Sequence, residues 1–475
     1  MLNSLANPPN FTETTDVIVI GTGFAGLMAA IKLAQSGVSV KILDKRSSCG
    51  GNSIISDGVL VATGSSIQKK SGINDSAECL LEDMLIAGHS NQVELASIVA
   101  EQASDICEWL EKDLQVAFRQ RVDQFGGHKV ARSLTPIKAL GTTIIHPMLE
   151  HLKSFGIIPQ VRSQVIALSQ DETGRINGVK VIPFKKNKHD KPIDNQPAQW
   201  IKARKAVILA TGGFSADIDF RQQLDPRLDS TISCTNIKYT TAECMQAAIA
   251  VGADTVDMEH IQLAPFTSPD EKGYGVSAQF SSYTVFPYGL LINPVTGKRF
   301  VNEMADRKSR VDAMLALAQP CIGIADDVGI GLSGQPIDKC LKRKVVNKFS
   351  NLQELAAAYD IPERSLQRSI ERYNTFIRIK QDKDFQKPIL ASALPLNPPY
   401  YAVRLWPKAH YTMGGLRINS RAQVMHESGH AIRGLYAAGE VTSGVHGISR
   451  LSTTAITECL VFGRIAGQQA AMEIV

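Results

Sequence analysis

The sequence predicts an α/β protein in which a parallel-sheet domain is interrupted by a second, α+β domain. Residues 17–20 are all β-branched and lead straight into a G-x-G-x-x-G turn and an apolar helical pattern, as in the first βα unit of a parallel sheet. Residues 257–395 then become rich in aromatic and finally charged residues, before small apolar residues return. These two observations define the expected architecture.

The glycine turn has the spacing of a dinucleotide-binding loop. Gly21 permits the tight turn, Gly23 lets the backbone approach a pyrophosphate, and Gly26 lets the helix predicted at 24–36 lie close to the sheet. A second strand follows and ends in Asp44, an acid placed to accept a hydrogen bond from a ribose hydroxyl. A tight βα turn without a nucleotide is the simpler interpretation, but this order of strand, helix and acid favours a nucleotide.

Composition and charge limit the class of protein. With 475 residues, of which 44% are hydrophobic, the chain is long enough for two or three globular domains. The net charge of +5 is spread along the chain, so we expect no nucleic-acid partner, and the lysine-rich segment 185–191 is interpreted as a solvated hairpin loop.

Cysteine usage and hydropathy predict the compartment. The eight cysteines form no C-x-x-C pair, so we expect no metal site and a reducing environment. The N-terminal residues lack the pattern of a signal peptide, and no apolar run is long enough to be a transmembrane segment. A cytoplasmic location is therefore predicted.

Periodicity predicts the other elements before the inserted domain. Residues 76–113 carry two helical patterns, interpreted as a cover for the sheet, and residues 142–155 carry a third. From residue 158 the period changes to two, and a turn at 172–175 predicts a β-hairpin. The apolar run 205–213 is predicted as a buried strand that ends in glycines and faces the nucleotide.

The C-terminal part completes the first domain. A strand and turn are predicted at 434–441, followed by a glycine-punctuated loop and a helix at 453–474 with few charges, which must be buried. The proline-rich segment 395–399 is interpreted as the linker that leads back. The predicted division of the chain is 1–256 and 396–475 for the interrupted domain and 257–395 for the inserted one.

Six motifs occur in a characteristic order: the glycine turn with Asp44, then residues 50–53, 210–213, 297–303, 410–415 and 437–447. Together they resemble the flavin domain of the fumarate reductase and succinate dehydrogenase flavoprotein family, over nearly the whole chain. The similarity is greatest to the soluble bacterial fumarate reductases, with ketosteroid dehydrogenases and urocanate reductases as relatives. It implies a Rossmann-like FAD-binding domain interrupted by an α+β capping domain, with the active site between them.

The resemblance implies FAD as the cofactor. The histidine that carries covalent flavin in some members is missing near Asn52, so the FAD is expected to be non-covalent. Glu440 is expected to be a second ribose ligand, and a family Gly-Asp-Gly turn is replaced by Ala242, Glu243 and Cys244, which leaves one cofactor contact open. The implied cofactor-binding residues are Gly21, Gly23, Phe24, Ala25, Gly26, Asp44, Lys45, Gly50, Gly51, Asn52, Ser53, Ala210, Thr211, Gly212, Gly439, Glu440, Arg450, Thr454 and Ala455.

The resemblance also implies the chemistry: reduction of an activated C=C bond by hydride transfer from flavin N5, with a proton from an arginine that is Arg307 here. Because a guanidinium has a pKa above ~12, a role of Arg307 as a fixed cation for the substrate stays open. Arg450 matches the family's carboxylate clamp, a task suited to a planar, bidentate group. His410 and Tyr411 occupy a His-His motif, and Tyr411 is expected to bind or protonate a carbonyl.

Departures from the family pattern concern the substrate. Ala264 replaces the histidine that grips a second carboxylate, and the proton-relay Glu and Arg of the family fall on Ser282 and Val285. A second carboxylate beside Ala264 and Phe266 would be left unpaired, at a cost on the order of several kcal/mol. We therefore reject fumarate and succinate as substrates and expect an α,β-unsaturated monocarboxylate with an apolar tail, or an enone.

The sequence alone leaves several functions open. An ene-reductase is the leading hypothesis because Arg307 is retained, and the alternative is a ketosteroid-type dehydrogenase that introduces a C=C bond next to a ketone. An oxidase, or a flavoprotein without turnover, would also fit. The aromatic residues of the insert either line the substrate pocket or form the core of the capping domain; they are Phe280, Tyr283, Phe286 and Tyr288.

The sequence has no haem, iron–sulfur or nicotinamide domain of its own. A reductase of this kind needs a separate electron donor, either a protein or reduced flavin, and a dehydrogenase needs a separate acceptor. The expected partners are therefore a small-molecule substrate and an external redox partner.

Overall fold

The computed structural model describes residues 9–183 and 197–474. The segment 185–191, predicted as a solvated hairpin loop, lies outside the described residues. No helix in the described ranges is long and apolar enough to cross a membrane.

The strands and helices follow one another along the chain in a mixed order. The strands are β1 (Phe11–Ile20), β2 (Val40–Leu43), β3 (Leu60–Val61), β4 (Ser133–Leu134), β5 (Ser163–Gln170), β6 (Ile176–Pro183), β7 (Gln199–Leu209), β8 (Thr255–Val256), β9 (Ile261–Ala264), β10 (Leu290–Asn293), β11 (Lys298–Arg299), β12 (Cys321–Asp326), β13 (Val346–Phe349), β14 (Tyr400–Leu405), β15 (Lys408–Thr412), β16 (Gly415–Arg417), β17 (Gln423–Met425), β18 (Ala431–Ala437) and β19 (Thr442–Ser443). The α-helices are α1 (Phe24–Gln35), α2 (Ser66–Lys70), α3 (Ala77–Gly88), α4 (Val93–Lys112), α5 (Thr142–Ser154), α6 (Ile218–Leu224), α7 (Glu243–Ile249), α8 (Ser277–Phe280), α9 (Phe286–Tyr288), α10 (Arg307–Leu315), α11 (Asp327–Ser333), α12 (Asp338–Lys342), α13 (Leu352–Ala358), α14 (Glu363–Ile379) and α15 (Thr454–Met472).

The first sheet is the Rossmann-type sheet that the sequence predicts. Its order is β17-β18-β7-β1-β2, and β1 pairs in parallel with both β2 and β7. The predicted hairpin is formed by β5 and β6, and β6 joins the sheet by pairing antiparallel with β7. The α/β fold class is confirmed, and the carboxyl ends of β1, β2 and β7 meet at one edge of the sheet.

Close packing of glycines places the helices on this sheet. A Cβ atom on Gly26 would lie 2.1 Å from the carbonyl oxygen of Gly21, so only glycine lets α1 sit against the end of β1. A Cβ atom on Gly463 would lie 2.5 Å from the carbonyl oxygen of Ala25, which brings α15 equally close to α1. The helix predicted to be buried is buried, and α3 and α4, predicted to cover the sheet, form a helix pair in which α4 packs against α15.

The second sheet is antiparallel, with the order β11-β10-β12-β14-β13. Strand β14 lies beyond residue 395, where the inserted domain was predicted to end, and it pairs with both β12 and β13. The boundary at 395 was wrong in this respect, because the proline-rich segment 395–399 leads into another strand of the same sheet. Apolar clusters cover both faces of this sheet, one of them formed with α13 and α14.

Two short strand pairs connect the layers. Strand β9 pairs antiparallel with β15, and β16 pairs with β8 and with β19. They run from the second sheet back to the first and carry two of the motifs from the sequence. The region between the two sheets is therefore built from β9, β15 and the N-terminal end of α10.

A buried ion-pair network fixes the segment that leads into α10. Glu303 is fully buried and accepts hydrogen bonds from the backbone N–H of Leu291 at 3.0 Å and from Arg299 Nη2 at 2.8 Å. Lys387 Nζ lies 3.6 Å from Glu303, and Asp382 accepts from Arg299 at 2.9 Å. Burial raises the pKa of Glu303, but the charges of Lys387 and Arg299 outweigh this effect and lower it.

We expect Glu303→Ala to destabilise the protein, because Lys387 would remain buried without the carboxylate that it faces and Arg299 would keep only Asp382 as a partner. The expected loss is about 3–5 kcal/mol in the free energy of unfolding. Urea denaturation followed by circular dichroism measures it.

The matched control is Asp312→Ala, which removes the exposed pair with Lys308, whose atoms lie 2.6 Å apart. That change is expected to cost less than about 1 kcal/mol. Equal effects of the two substitutions would contradict the structural role of the buried network.

Candidate active site

A cavity lies at the carboxyl ends of β1, β2 and β7. Most of the residues expected to bind the cofactor line it, although the sequence places them in four separate segments. They are Gly21, Gly23, Phe24, Ala25, Asp44, Lys45, Gly51, Asn52, Ser53, Ala210, Thr211, Gly212, Gly439 and Glu440.

Asp44 organises the turns at this edge. Its Oδ2 atom accepts from the backbone N–H of Thr22 at 3.1 Å and from the Thr22 hydroxyl, and its Oδ1 atom accepts from the N–H of Arg46 at 2.8 Å. The Thr22 hydroxyl in turn accepts from the N–H of Gly50 at 2.9 Å. The acid at the end of β2 therefore holds the glycine turn and the second turn together while lining the cavity.

Three residues expected to bind the cofactor do not line this cavity or the one beside it. Gly26 provides the close packing of α1 described above. Gly50 has a φ of 109°, and a Cβ atom there would lie 2.8 Å from the side chain of Ile54. Thr454 donates a hydrogen bond to the carbonyl of Leu451 at 2.9 Å, at the start of α15. We therefore attribute the presence of Gly26, Gly50 and Thr454 in the motifs to local packing.

A charged pair that the sequence did not predict lies in the same cavity. Lys45 Nζ is 3.1 Å from Glu243, and Gln164 donates to Glu243 at 3.3 Å. Burial raises the pKa of Glu243, while the charge of Lys45 and the Thr241 hydroxyl lower it more. Glu243 belongs to the segment that replaces the family's Gly-Asp-Gly turn. This difference from the family sequence was the signal that could have revealed the charged pair.

A second cavity of about 170 Å³ continues from the first. Phe24, Asn52, Ser53, Glu440 and Cys459 line both, so the two form one elongated site. This shape fits FAD: a dinucleotide part along the glycine turn, where Gly23 offers no side chain to cap α1, and a ring system toward the second cavity. Glu440 lies at the junction, and burial raises its pKa to about 7.

All four residues expected to be catalytic line the second cavity: Arg307, His410, Tyr411 and Arg450. Arg307 begins α10. His410 and Tyr411 are consecutive on β15, where the pairing with β9 shifts register between Ala409 and Tyr411. Adjacent side chains of a regular strand point to opposite faces, and an irregularity of this kind re-aims a side chain so that both can face one cavity.

The two arginines have no carboxylate partner in the part of the chain that the structure describes. Arg307 Nη1 donates to Gln262 Oε1 at 3.3 Å, and its guanidinium lies 5.2 Å from the ring centroid of Phe266. Arg450 Nη1 donates to the Leu451 carbonyl at 3.2 Å, its guanidinium lies 4.6 Å from the ring centroid of Tyr411, and its buried Nε–H has no partner among the described residues. Neither arginine forms an ion pair within residues 9–183 and 197–474.

Burial and like charge lower the pKa of the arginines. For Arg307 the cause is burial, followed by the charges of Arg450 and Arg310, and its pKa falls well below its usual range. Burial also lowers the pKa of Arg450, against the charges of Tyr411 and Glu440.

The histidine and the tyrosine of the cavity are neutral groups. Burial, Arg307 and Arg450 hold the pKa of His410 well below its usual value, and its Nδ1 lies 2.8 Å from the Thr235 hydroxyl. Burial, with Glu458 next, raises the pKa of Tyr411 well above its usual value. Tyr411 is therefore a phenol and a hydrogen-bond donor, not a tyrosinate base.

The apolar wall differs in part from the one expected. Phe266, Phe286 and Ser282 line the cavity, whereas Ala264 and Val285 do not. Ala264 is fully buried in the apolar cluster of the second sheet, opposite Lys408 in the strand pair. Phe280, Tyr283 and Tyr288 also lie outside the wall and belong to the packing of the capping layer, where Tyr283 meets Phe125 edge-on at 5.1 Å.

Further residues line the cavity without a signal in the motifs, and they include Asp57, Phe125, Tyr274 and Arg310. Arg310 lies three residues after Arg307, about one helical turn away, with its guanidinium 4.4 Å from the ring centroid of Phe286. Asp57 closely follows the turn at residues 50–53. Tyr274 and Phe125 reach the cavity from segments far apart in sequence.

The chain matches the family described as FAD binding domain over residues 16–456. The acrylate reductase flavoprotein subunit of Shewanella woodyi is 38% identical, over 98% of this chain and 92% of its own length. The open conformation of a flavocytochrome c3 fumarate reductase superposes with a TM-score of 0.76 at 30% identity, over 98% of this chain and 79% of that one.

A ketosteroid dehydrogenase has a similar structure. The 3-ketosteroid Δ4-(5α)-dehydrogenase of Rhodococcus jostii superposes with a TM-score of 0.75 at 25% identity, over 97% of this chain and 98% of that one. The relatives that the sequence motifs implied are therefore found by comparison.

The glycine turn yields a test of cofactor binding. A Cβ atom on Gly23 would contact only the Ser53 hydroxyl, at 3.1 Å, and the φ of −72° suits alanine. We expect Gly23→Ala to fold but to bind FAD about tenfold more weakly or worse, because the methyl group would hold the pyrophosphate away from the backbone. Reconstitution of the apoprotein with FAD, followed by absorbance, measures this affinity.

The control is Gly331→Ala, because a Cβ atom there would have no neighbour within 4 Å. That variant should keep the FAD affinity of the unaltered protein. Unchanged FAD affinity in Gly23→Ala would show that this turn does not bind the pyrophosphate.

Proposed function

This chain belongs to the FAD binding domain family and to its fumarate reductase flavoproteins, and we propose that it reduces the C=C bond of an α,β-unsaturated monocarboxylate. The observation that carries the proposal is the pair Arg307 and Arg450, which line one cavity without a carboxylate partner among the described residues. Unpaired cations withdrawn from water form a binding site for an anion.

The rest of the cavity supports one carboxylate and an apolar remainder. The Arg450 Nε–H is left without a partner, as expected of a donor reserved for a ligand. Phe266 and Phe286 form an apolar side, and Ala264 supplies no group that could hold a second carboxylate. The 38% identity to a protein that acts on acrylate supports a substrate of this class.

Bound FAD, once reduced by the electron donor, would supply the hydride for the β carbon, in this proposal without a covalent bond to the protein. Arg307 would supply the proton for the α carbon from a guanidinium N–H. Its lowered pKa makes it a stronger acid than an arginine in water, and Gln262 holds it in place. His410, oriented by Thr235, and Tyr411 would donate hydrogen bonds to the substrate oxygens.

A ketosteroid-type dehydrogenase is the second candidate, supported by the similar structure from Rhodococcus jostii. It would need a base to remove a proton next to a ketone. The raised pKa of Tyr411 counts against a tyrosinate in that role, and the two arginines suit an anionic substrate better than a steroid.

The electron donor is proposed to be a separate protein or reduced flavin. The relative from Shewanella woodyi is a flavoprotein subunit by name, which supports a separate redox partner. A cytoplasmic location is also part of the proposal, and the eight cysteines are all free thiols, as a reducing compartment would require.

The function is tested with photoreduced holoprotein in the absence of air. Acrylate or cinnamate should reoxidise the flavin rapidly, whereas fumarate should do so far more slowly, because its second carboxylate has no partner. Stopped-flow absorbance of the flavin measures both rates. Reduction of oxidised flavin by a saturated steroid ketone would favour the dehydrogenase, and rapid reoxidation by air alone would favour an oxidase.

The role of Arg307 is tested by Arg307→Ala. We expect turnover to fall by about 10²–10⁴-fold while FAD stays bound, because the proton donor is lost and the residue lies outside the cofactor cavity. Steady-state kinetics with acrylate, together with the flavin spectrum, separate the two properties.

Lys308→Ala is the matched control, one residue further along α10 and exposed, and should leave turnover unchanged. Turnover retained in Arg307→Ala would rule out Arg307 as the acid.

A further inference from the structure

Asp57 is an acid that lines the second cavity but has no role in the proposed mechanism. It lies in the loop that follows the turn at residues 50–53 and lines the cavity together with Arg307 and Arg450. Its Oδ1 atom accepts a hydrogen bond from the backbone N–H of Val59 at 3.2 Å. Within the described ranges it forms no ion pair with either arginine.

The charges of these three groups act on one another. Burial raises the pKa of Asp57 above its usual value, although the N–H of Val59 and the charges of Arg307 and Arg450 act in the opposite direction. The charge of Asp57 in turn acts to raise the pKa of Tyr274 and, against the effect of burial, the pKa of both arginines. The three side chains therefore share one electrostatic environment without direct contact.

The other charged groups of the cavity are engaged elsewhere. Arg310 lies over the ring of Phe286, and burial lowers its pKa to about 10 although the charges of Asp306 and Glu303 act to raise it. Glu440 lies at the junction with the cofactor cavity and accepts from the N–H of Thr412 at 3.0 Å. These two groups contribute one charge of each sign, and the remaining two cations and one anion together carry a single net positive charge.

We propose that Asp57 selects the charge of the substrate: it restricts the site to ligands with one carboxylate and repels a second. This inference rests on the proposed function, because it concerns the same site. One carboxylate neutralises the net charge of Arg307, Arg450 and Asp57. A second carboxylate would bring two anions together in a cavity of low dielectric, where like charges repel strongly.

A role in the loop alone is the competing explanation. The hydrogen bond from Val59 to the Asp57 side chain is an Asx-turn, and asparagine forms the same turn. Asp57→Asn therefore keeps the loop and the shape of the cavity and removes only the charge. Asp57→Glu keeps the charge and alters the shape, which makes the two variants a matched pair.

The test measures binding, so it does not depend on turnover. Propionate and succinate, the saturated mono- and dicarboxylate, are titrated near neutral pH into the holoprotein while the flavin absorbance is followed. We expect Asp57→Asn to lower the ratio of the succinate to the propionate dissociation constant by about tenfold or more. Asp57→Glu and the neutral variant Ser282→Ala should both keep the original ratio.

An unchanged ratio in Asp57→Asn overturns the proposal, and so does an equal fall in Asp57→Glu or Ser282→Ala. If unsaturated acids fail to reoxidise the flavin but the two saturated acids still bind, the proposed reductase function fails while the ratio continues to decide the role of Asp57. A holoprotein that binds neither acid overturns both.

Discussion

The central constraint on this protein is the placement of two guanidinium groups, Arg307 and Arg450, in one cavity where neither forms an ion pair with any residue that the structure describes. Withdrawing a cation from water is costly, and the surrounding groups offset only part of that cost. One amide side chain, Gln262, accepts from Arg307 at 3.3 Å and donates to the Arg450 carbonyl at 3.1 Å, while the faces of Phe266 and Tyr411 lie over the two cations. The remaining cost would be offset by an anionic ligand, which supports the proposed binding of a carboxylate.

The second sheet holds this arrangement in place. The buried pairs of Glu303 with Arg299 and Lys387 fix the chain just before α10, and the side chain of Asp306 caps that helix by accepting from the N–H of Ser309 at 3.0 Å. Arg307 is the first residue after this cap. Its position thus depends on the capping layer, whereas Arg450 comes from the loop before α15 in the first layer. The cavity therefore contains both cations only when the capping layer packs against the first layer.

Features that depend on local spacing could be predicted from the sequence. The βα unit, the hairpin and the buried last helix follow from glycine spacing and periodicity, whereas the family follows from the resemblance of six motifs. The four residues Arg307, His410, Tyr411 and Arg450 share one cavity, as that resemblance implied. Ala264 was expected to line the pocket, but strand pairing turns it into the core, and β14 was assigned to the wrong side of a proline-rich segment. Asp57 and Tyr274 could not be found, because only packing across the layers brings them to the cavity.

The sequence left two roles open for Arg307, an acid or a fixed cation, and the structure connects them. Burial and the neighbouring charges of Arg450 and Arg310 lower the pKa of Arg307 and so make its proton easier to release, and Arg450 is also one of the two cations proposed to attract the carboxylate. Ser282 and Val285 replace the Glu and Arg of the family's proton relay, so in the proposed mechanism the acidity of Arg307 comes from burial and like charge. In the proposed mechanism the cluster of cations therefore serves both purposes, binding the carboxylate before the transition state and favouring proton release within it.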